Sequence, residues 1–287
     1  MTAAGLGPVL LAHGGADPGG DPWAGWVVPA LVAVLPAAGY LVGAGRLRGS
    51  GRRWSSARTA SFLLGTVLAG VALSPAIGAG TAGGHMAQHL LLGMYAPIAL
   101  VLGAPGTLLL AVLPVRGRRA VAAVLRARVV HLVSHVAVAA VLAVGLLYLL
   151  YLTPLYALST RSEPVHSALH LHFLLSGYLY AWAVAGPDPA PRRPGMAVRV
   201  AVLVGAGGAH AFLAKLLHAR APELPPGSGH GVAEIERAAQ WMYYGGHLGE
   251  LVLLVALFAA WYGHTGRAGL GVRPDRRLPA GTAAERG

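Results

Sequence analysis

Apolar stretches long enough to cross a lipid bilayer recur along nearly the whole chain, and they constrain the fold more than any other feature. A hydrocarbon core about 30 Å thick needs roughly 20 predominantly apolar residues in a helix. Hydrophobic residues make up 55% of the sequence and charged residues only 11%, whereas about a quarter of a soluble domain is charged. The sequence therefore predicts an all-α fold, a polytopic bundle of transmembrane helices. Seven spans are expected, at residues 26–45, 59–78, 86–112, 129–151, 165–185, 197–219 and 240–262.

The third of these stretches is longer than a single span requires. Pro97, Gly103 and Pro105 interrupt it, and such residues are tolerated inside membrane helices where neighbours satisfy the freed backbone groups. We expect them to kink this span or to end it near Leu102, with a re-entrant or interfacial tail beyond.

The arginines indicate the orientation of the bundle. Most of the arginines lie in alternate loops, and the loops between those contain only Arg161, Arg220 and Arg237. The arginine-rich segments are residues 46–58, 116–128, 192–199 and 267–286. Cytoplasmic loops of membrane proteins carry the excess of Lys and Arg. The N-terminus is therefore expected outside and the C-terminus in the cytoplasm, consistent with an odd number of spans.

The same distribution of residues predicts three regions along the chain. Residues 1–22 are expected to form a flexible N-terminal segment, residues 23–263 the seven-helix transmembrane domain, and residues 264–287 a basic cytoplasmic tail. The N-terminus lacks a basic region before its short apolar stretch, so no cleaved signal peptide is expected.

The net charge and the absence of cysteine exclude two classes of function. The formal charge is +12, but the arginines lie in membrane-flanking loops rather than in a basic, aromatic-rich module, so nucleic acid is not an expected partner. The lipid bilayer is an expected partner. There is no cysteine, so a metal site would have to use His, Met, carboxylate or carbonyl ligands.

Histidines concentrate where four predicted spans meet the outer boundary of the membrane. His85 and His89 begin the third span, and His166 and His170 begin the fifth. Side chains four residues apart share one face of a helix about 6 Å apart, which is a metal-binding spacing when a third ligand converges. We expect a metal site there. The candidate ligands are His85, His89, His166, His170, His172, His218 and His247, with Glu250, Gln88 and Met86 as neighbouring or charge-balancing groups.

Other histidines have simpler explanations. His131 and His135 open the fourth span on the cytoplasmic side, where a structural or lipid-headgroup role is favoured. His210 lies near mid-membrane, where a hydrogen bond between helices is the default, with no evident partner at its depth. Imidazole suits copper, zinc and iron alike. Histidine and methionine without cysteine favour copper, in an oxidation state that the sequence leaves open.

Three segments carry a family resemblance that covers about residues 25–263. The segments "HMAQHLLLGMYAPIALVLGAPG", "HSALHLHFLLSGYLYAWAVAGPDP" and "QWMYYGGHLGELVLLVALFAAWY" resemble spans of the CtaG-type cytochrome c oxidase assembly factors. The second ends in a W-x-x-x-G-x-D-P turn formed by Trp182, Gly186, Asp188 and Pro189. The positions that match the family's motifs are His85, Gln88, His89, His170, His172, Gly246 and Glu250.

The resemblance implies a non-enzymatic, multi-pass protein of the bacterial plasma membrane that supports maturation of haem–copper oxidase. It implies copper as cargo and the oxidase catalytic subunit as partner. Many actinobacterial relatives carry a fused copper-resistance module, for which 287 residues leave no room. Relatives often have an acidic residue near the last motif. This chain has Ala238, Ala239 and His247 there, and His247 is a candidate replacement.

Three other functions remain open from the sequence. A copper transporter or tolerance protein would use the same histidines as an entry site and needs a polar path inward. A membrane cytochrome would use histidines on facing helices as axial haem ligands. A structural subunit of an oxidase complex would need no metal at all.

Overall fold

A computed structural model describes residues 23–78, 80–191 and 193–269, whose regular secondary structure is helical, with no strand among these residues. The helices are α1 Ala24–Gly49, α2 Ser56–Leu73, α3 Ala82–Leu90, α4 Ala96–Leu102, α5 Pro105–Val112, α6 Val115–Leu125, α7 Arg128–Val133, α8 Val136–Leu152, α9 Leu155–Arg161, α10 Glu163–Ala185, α11 Met196–Ala219 and α12 Val232–Gly269. A π-helical turn, Leu91–Tyr95, joins α3 to α4. The predicted flexible segment at residues 1–22 and most of the predicted tail lie outside the described residues.

The predicted polytopic helical fold is confirmed. Among the described residues, six segments are long and apolar enough to cross a membrane, namely Gly25–Gly49, Ser56–Leu73, Ala82–Leu102, Glu163–Ala185, Met196–Ala219 and Val232–Tyr262. The pair α8 and α9 supplies a seventh if the two helices count as one span, with a bend of 84° between them. The bend falls at Thr153 and Pro154, where the residue before a proline is biased away from helical geometry.

Several predicted boundaries moved for local reasons. The third span ends at Leu102 as expected, and Ala104 then adopts a left-handed conformation before α5 begins. The second span ends at Leu73 rather than at residue 78, since Ser74 precedes Pro75 and is extended. The last helix begins at Val232, two turns earlier than predicted, because the polar start of α12 buries an apolar stripe of Ile235, Ala238, Ala239 and Met242.

The expectation that His131 and His135 open one continuous span is wrong. His131 lies in α7, whereas His135 is the extended residue before α8. The two side chains therefore do not share a helical face.

The continuous segment α3–α4 lies at the centre of the bundle. It packs against α2, α10 and α12, while α11 packs on α8 and α12, and α1 lies outside on α2 and α5. The π-helical turn is where α10 comes closest, since a Cβ on Gly177 would lie 2.2 Å from the carbonyl oxygen of Gly93. Small residues allow this approach of membrane helices, and π-helical turns occur frequently at functional sites.

The two ends of the bundle differ in character. At one end, which we call the arginine end, Arg52 donates to the Ala111 carbonyl oxygen at 3.4 Å, so the arginine-rich segment 46–58 contacts the end of α5, just before the arginine-rich segment 116–128. At the other, the histidine end, the starts of α3, α10 and α12 come together. Glu234 of α12 joins them by accepting a hydrogen bond from the Ala82 backbone N–H at 2.7 Å.

Candidate metal-binding site

His85 and His89 are buried side chains on a helix whose start is well anchored. The Thr81 hydroxyl caps α3 by accepting from the Gly84 N–H at 2.9 Å. The Glu234 carboxylate holds the Ala82 N–H from the neighbouring helix. His85 is 4% exposed and His89 is 6% exposed, so both imidazoles face the bundle interior rather than lipid.

His85 faces His166 of α10, which in turn contacts His170. Its ring centroid lies 6.4 Å from that of His166, and the His166 and His170 rings are 4.1 Å apart. We call His85, His166 and His170 the histidine cluster. The Nε2 atom of His85 is buried and has no hydrogen-bond partner among the described residues. A buried nitrogen without a partner costs free energy, so this atom is available to a ligand.

A second layer of hydrogen bonds closes over the histidine cluster. Tyr156 of α9 packs against His85 with ring centroids 4.8 Å apart, and its hydroxyl lies 3.1 Å from Nε2 of His230. Nδ1 of His230 lies 3.3 Å from the Glu234 carboxylate, which also holds the start of α3. This network links the loop before α12 to the elements that position His85.

His89 points to a different neighbour. Its ring centroid lies 6.2 Å from that of His210 on α11; we call these two residues the deep pair. Nδ1 of His89 and both nitrogens of His210 are buried, with no hydrogen-bond partner in the part of the chain that the structure describes. Nδ1 of His210 lies 4.0 Å from the Glu250 carboxylate of α12. His210 thus has a partner at its depth, contrary to the sequence expectation.

The deep pair borders a cavity of about 50 Å³. Its other polar or sulfur-bearing neighbours are Met94, Ser176, Tyr180 and Glu250. A single water needs about 10–15 Å³, so the cavity has room for several waters or for one ion with its ligands.

Glycines on α11 and α12 make room for these groups. A Cβ on Gly246 would lie 2.2 Å from Cε1 of His210, and one on Gly207 would lie 2.5 Å from the Glu250 carboxylate. A Cβ on Gly249 would lie 2.0 Å from the Met94 sulfur. Real Cβ atoms do not come this close to other heavy atoms, so these three positions admit only glycine without rearrangement.

The remaining predicted ligands contact other groups. Nε2 of His172 lies 3.0 Å from the carbonyl oxygen of Leu142 on α8. His218 and His247 are exposed, and their Nδ1 atoms lie beside the carbonyl oxygens of Glu236, at 3.4 Å, and Tyr243, at 2.6 Å.

The predicted neighbouring groups are placed as follows. Met86 is buried and its sulfur accepts from the Tyr151 hydroxyl at 3.8 Å. Gln88 is buried with its side-chain oxygen unpartnered. Glu250, expected as a neighbouring or charge-balancing group, lies beside His210.

The sequence identified all three residues of the histidine cluster but only one residue of the deep pair. His85 and His89 share a helix face as expected, but His210 was not among the candidate ligands. His210 could have been identified from two features of the sequence: it is a polar residue in mid-span, and the next helix carries Gly246 and Gly249. Within the described residues, no three His, Asp or Glu side chains form a group that could hold a metal ion. The structure offers pairs of imidazoles instead.

Comparison with known proteins gives a family and no solved structure. The model of a family described as cytochrome c oxidase caa3 assembly factor (Caa3_CtaG) matches residues 38–264. An uncharacterized protein of Mycobacterium bovis is 38% identical over 189 residues, which cover 62% of this chain and 29% of that protein. An uncharacterized protein of Mycobacterium leprae is 32% identical over 192 residues, 63% of this chain and 29% of its own. The chain thus spans less than a third of the length of these relatives. No solved structure matches it.

Proposed function

Because the chain belongs to the cytochrome c oxidase caa3 assembly factor (Caa3_CtaG) family, we propose that it supports oxidase assembly by binding copper and releasing it to the oxidase catalytic subunit. The histidine cluster is the proposed binding site. Copper is cargo in this proposal, and no bond of a substrate is made or broken, so no enzymatic activity is required of the chain.

The observation that carries the proposal is the pair of imidazoles formed by His85 and His166. Two imidazoles that share one ion in a roughly linear arrangement have ring centroids about 6 Å apart, since each metal–nitrogen bond is about 2 Å long. The observed separation is 6.4 Å, and Nε2 of His85 is free to bind. His170, whose ring lies 4.1 Å from that of His166, is positioned to take over or share the ion.

The low number of ligands suits a carrier of monovalent copper. Structural zinc sites are tetrahedral cages, whereas Cu⁺ accepts fewer ligands, and imidazole is among the donors that suit copper. A site with two imidazoles and no thiolate binds less tightly than a closed cage. Such a site allows the ion to leave for a partner that offers more ligands.

The surroundings of the histidine cluster support a role in exchange. Tyr156, His230 and Glu234 link the cluster to the loop before α12, so a partner that binds this loop acts directly on the elements around His85. By the distribution of arginines, the histidine end faces outward across the plasma membrane. That is the side from which we expect the oxidase subunit to receive copper.

The central test is oxidase maturation in cells that carry only a variant of this chain. We expect His85→Ala/His166→Ala to lower the copper content and activity of the oxidase by at least about 10-fold, since even groups behind metal ligands change affinity by that factor. His135→Ala is the matched control, because His135 is exposed at the arginine end and its side chain makes no capping bond. Normal copper loading of the oxidase beside normal membrane levels of the double variant would refute the proposal.

A copper transporter is the second candidate, and the position of the deep pair favours it. His89 lies one helical turn beyond His85, and His210 lies about 14 Å from the histidine end, so the deep pair continues inward from His85 as a path across the membrane requires. Copper uptake by vesicles that contain only this chain would select transport. A haem between the deep pair is disfavoured, because the cavity is about 50 Å³ and pockets for larger ligands are about 300–1,000 Å³.

The copper content of the purified chain distinguishes a purely structural role from copper binding. A chain that co-purifies with the oxidase but retains no copper after loading would be a scaffold. In that case the histidines would form a polar network between helices rather than a binding site.

A further inference from the structure

The deep pair has the features of a binding site in its own right. His210 is 3% exposed and lies nine residues before the end of α11, about 14 Å along the helix from the histidine end. Three of the four ring nitrogens of the pair have no hydrogen-bond partner within residues 23–78, 80–191 and 193–269. Buried imidazoles ordinarily pair their nitrogens, so an occupant that binds them accounts for their presence.

The spacing of the two rings fits one ion. Their centroids lie 6.2 Å apart, close to the distance of about 6 Å expected for two imidazoles on a shared metal. The Met94 side chain lines the same cavity and is held against Gly249. A thioether is a ligand that Cu⁺ favours over Zn²⁺ and other harder ions.

The charge beside the deep pair also fits a monovalent cation. Glu250 lies in the middle of α12, where an ionised carboxylate needs a partner. The described part of the chain gives it no Lys or Arg within ion-pair distance, and its neighbour is His210 at 4.0 Å. One Cu⁺ held by two neutral imidazoles would balance this carboxylate, and the cavity as a whole would then be neutral.

We propose that His89 and His210 form a second, deeper copper site, with Met94 as an additional ligand and Glu250 as the balancing charge. His89 follows His85 by one helical turn, about 6 Å, so copper reaches this site when the two imidazoles of the deep pair replace the two imidazoles of the histidine cluster, without a change of oxidation state. The choice of copper rests on the proposed function. The existence of a separate site rests on the geometry of the deep pair.

The test is copper stoichiometry of the full chain in detergent. The protein is loaded anaerobically with Cu⁺, washed by gel filtration, and analysed for copper by elemental analysis and X-ray absorption. We expect about two copper ions per chain in the wild type, and about one each in His85→Ala/His166→Ala and in His210→Leu. A copper–sulfur component in the absorption spectrum should persist in the double variant and disappear in Met94→Leu.

Two features of the structure keep the variants interpretable. His210 makes no hydrogen bond, so His210→Leu should fold with a melting temperature close to that of the wild type. Tyr180→Phe is the matched control, since Tyr180 lines the same cavity and its hydroxyl also makes no hydrogen bond. This variant should retain both copper ions.

The outcomes separate the second site from the proposed function. One copper ion that is lost only in His85→Ala/His166→Ala would overturn the deep site and leave the proposed function intact. One copper ion that is lost only in His210→Leu would support the deep site and overturn the histidine cluster as the binding site. No retained copper in the wild type would overturn both, and the cavity would then hold only water. A spectrum without sulfur would remove Met94 from the ligands.

Discussion

At the scale of single residues, glycine rather than histidine is the residue that the deep pair depends on most. Helix interiors are weakened by glycine in water, but glycines are common in membrane helices because they let neighbours approach. In this chain Gly246 admits the His210 ring and Gly207 admits the Glu250 carboxylate. The glycines of the segment "GGHLGE" are therefore explained by the side chains that pack against them, which are Leu90 at Gly245, His210 at Gly246 and Met94 at Gly249.

Replacing Gly246 tests this explanation. In Gly246→Ala the new methyl group would lie 2.2 Å from Cε1 of His210, so α11 and α12 must separate or the ring must move. Overpacking of this kind costs about 1–3 kcal/mol. We expect a lower melting temperature in detergent and weaker copper retention at the deep pair.

Gly208→Ala is the control for that experiment, since a methyl group on Gly208 would contact nothing within 4 Å. Its melting temperature should equal that of the wild type. His210→Ala should restore much of the stability of Gly246→Ala, because residues in contact are energetically coupled. Equal melting temperatures for Gly246→Ala and Gly208→Ala would show that the contact with His210 does not matter.

At the scale of elements, the W-x-x-x-G-x-D-P turn holds the end of α10 against the start of α5 at the arginine end. Asp188 is 5% exposed and accepts hydrogen bonds from the Gly106 N–H at 2.8 Å and from the Thr107 N–H and hydroxyl at 2.6 Å each. It thus caps α5 from a distant part of the chain. Its own carbonyl oxygen accepts from Arg193 at 2.5 Å.

Loss of this carboxylate should destabilise the arginine end without touching the histidines. In Asp188→Ala two backbone N–H groups at the start of α5 lose their acceptor, and each buried unsatisfied group costs about 1–3 kcal/mol. We expect a clear fall in melting temperature with copper binding per folded chain unchanged. Ser55→Ala is the control, because Ser55 is a helix N-cap that makes no side-chain capping bond. A loss of copper that exceeds the loss of folded protein would assign Asp188 a role beyond structure.

Local signals predict a helix end where Gly or Pro marks it, but they do not predict an end or a helix face that packing decides. The end of the third span at Leu102 follows from Gly103 and Pro105, which are read directly from the sequence. The early start of α12 does not, since the polar stretch after Val232 is helical only because its apolar stripe packs on α3. In the same way, helical periodicity places His85 and His89 on one face. It cannot show that His85 meets α10 while His89 meets α11.

At the scale of the whole molecule, the two ends of the bundle are assigned to the two sides of the membrane by the arginines alone. The packing is compatible with either orientation, because helices that cross a membrane look alike from both sides apart from their flanking charges. The geometry of the site also cannot be predicted from the sequence of a single span. Pairing between helices distant in sequence, such as His89 with His210, is set by packing that no single-span pattern encodes.

The orientation is testable with unusual clarity because the chain has no cysteine. Single cysteines can be placed at Glu223, exposed at the histidine end, and at Ser55, exposed at the arginine end. We expect a membrane-impermeant thiol reagent to label Glu223→Cys in intact cells and to label Ser55→Cys only after permeabilisation. The opposite pattern would place the histidine cluster on the cytoplasmic side. In that case the histidine cluster would receive copper from inside the cell. Copper could then reach the oxidase on the outer side only through a path across the membrane that includes the deep pair.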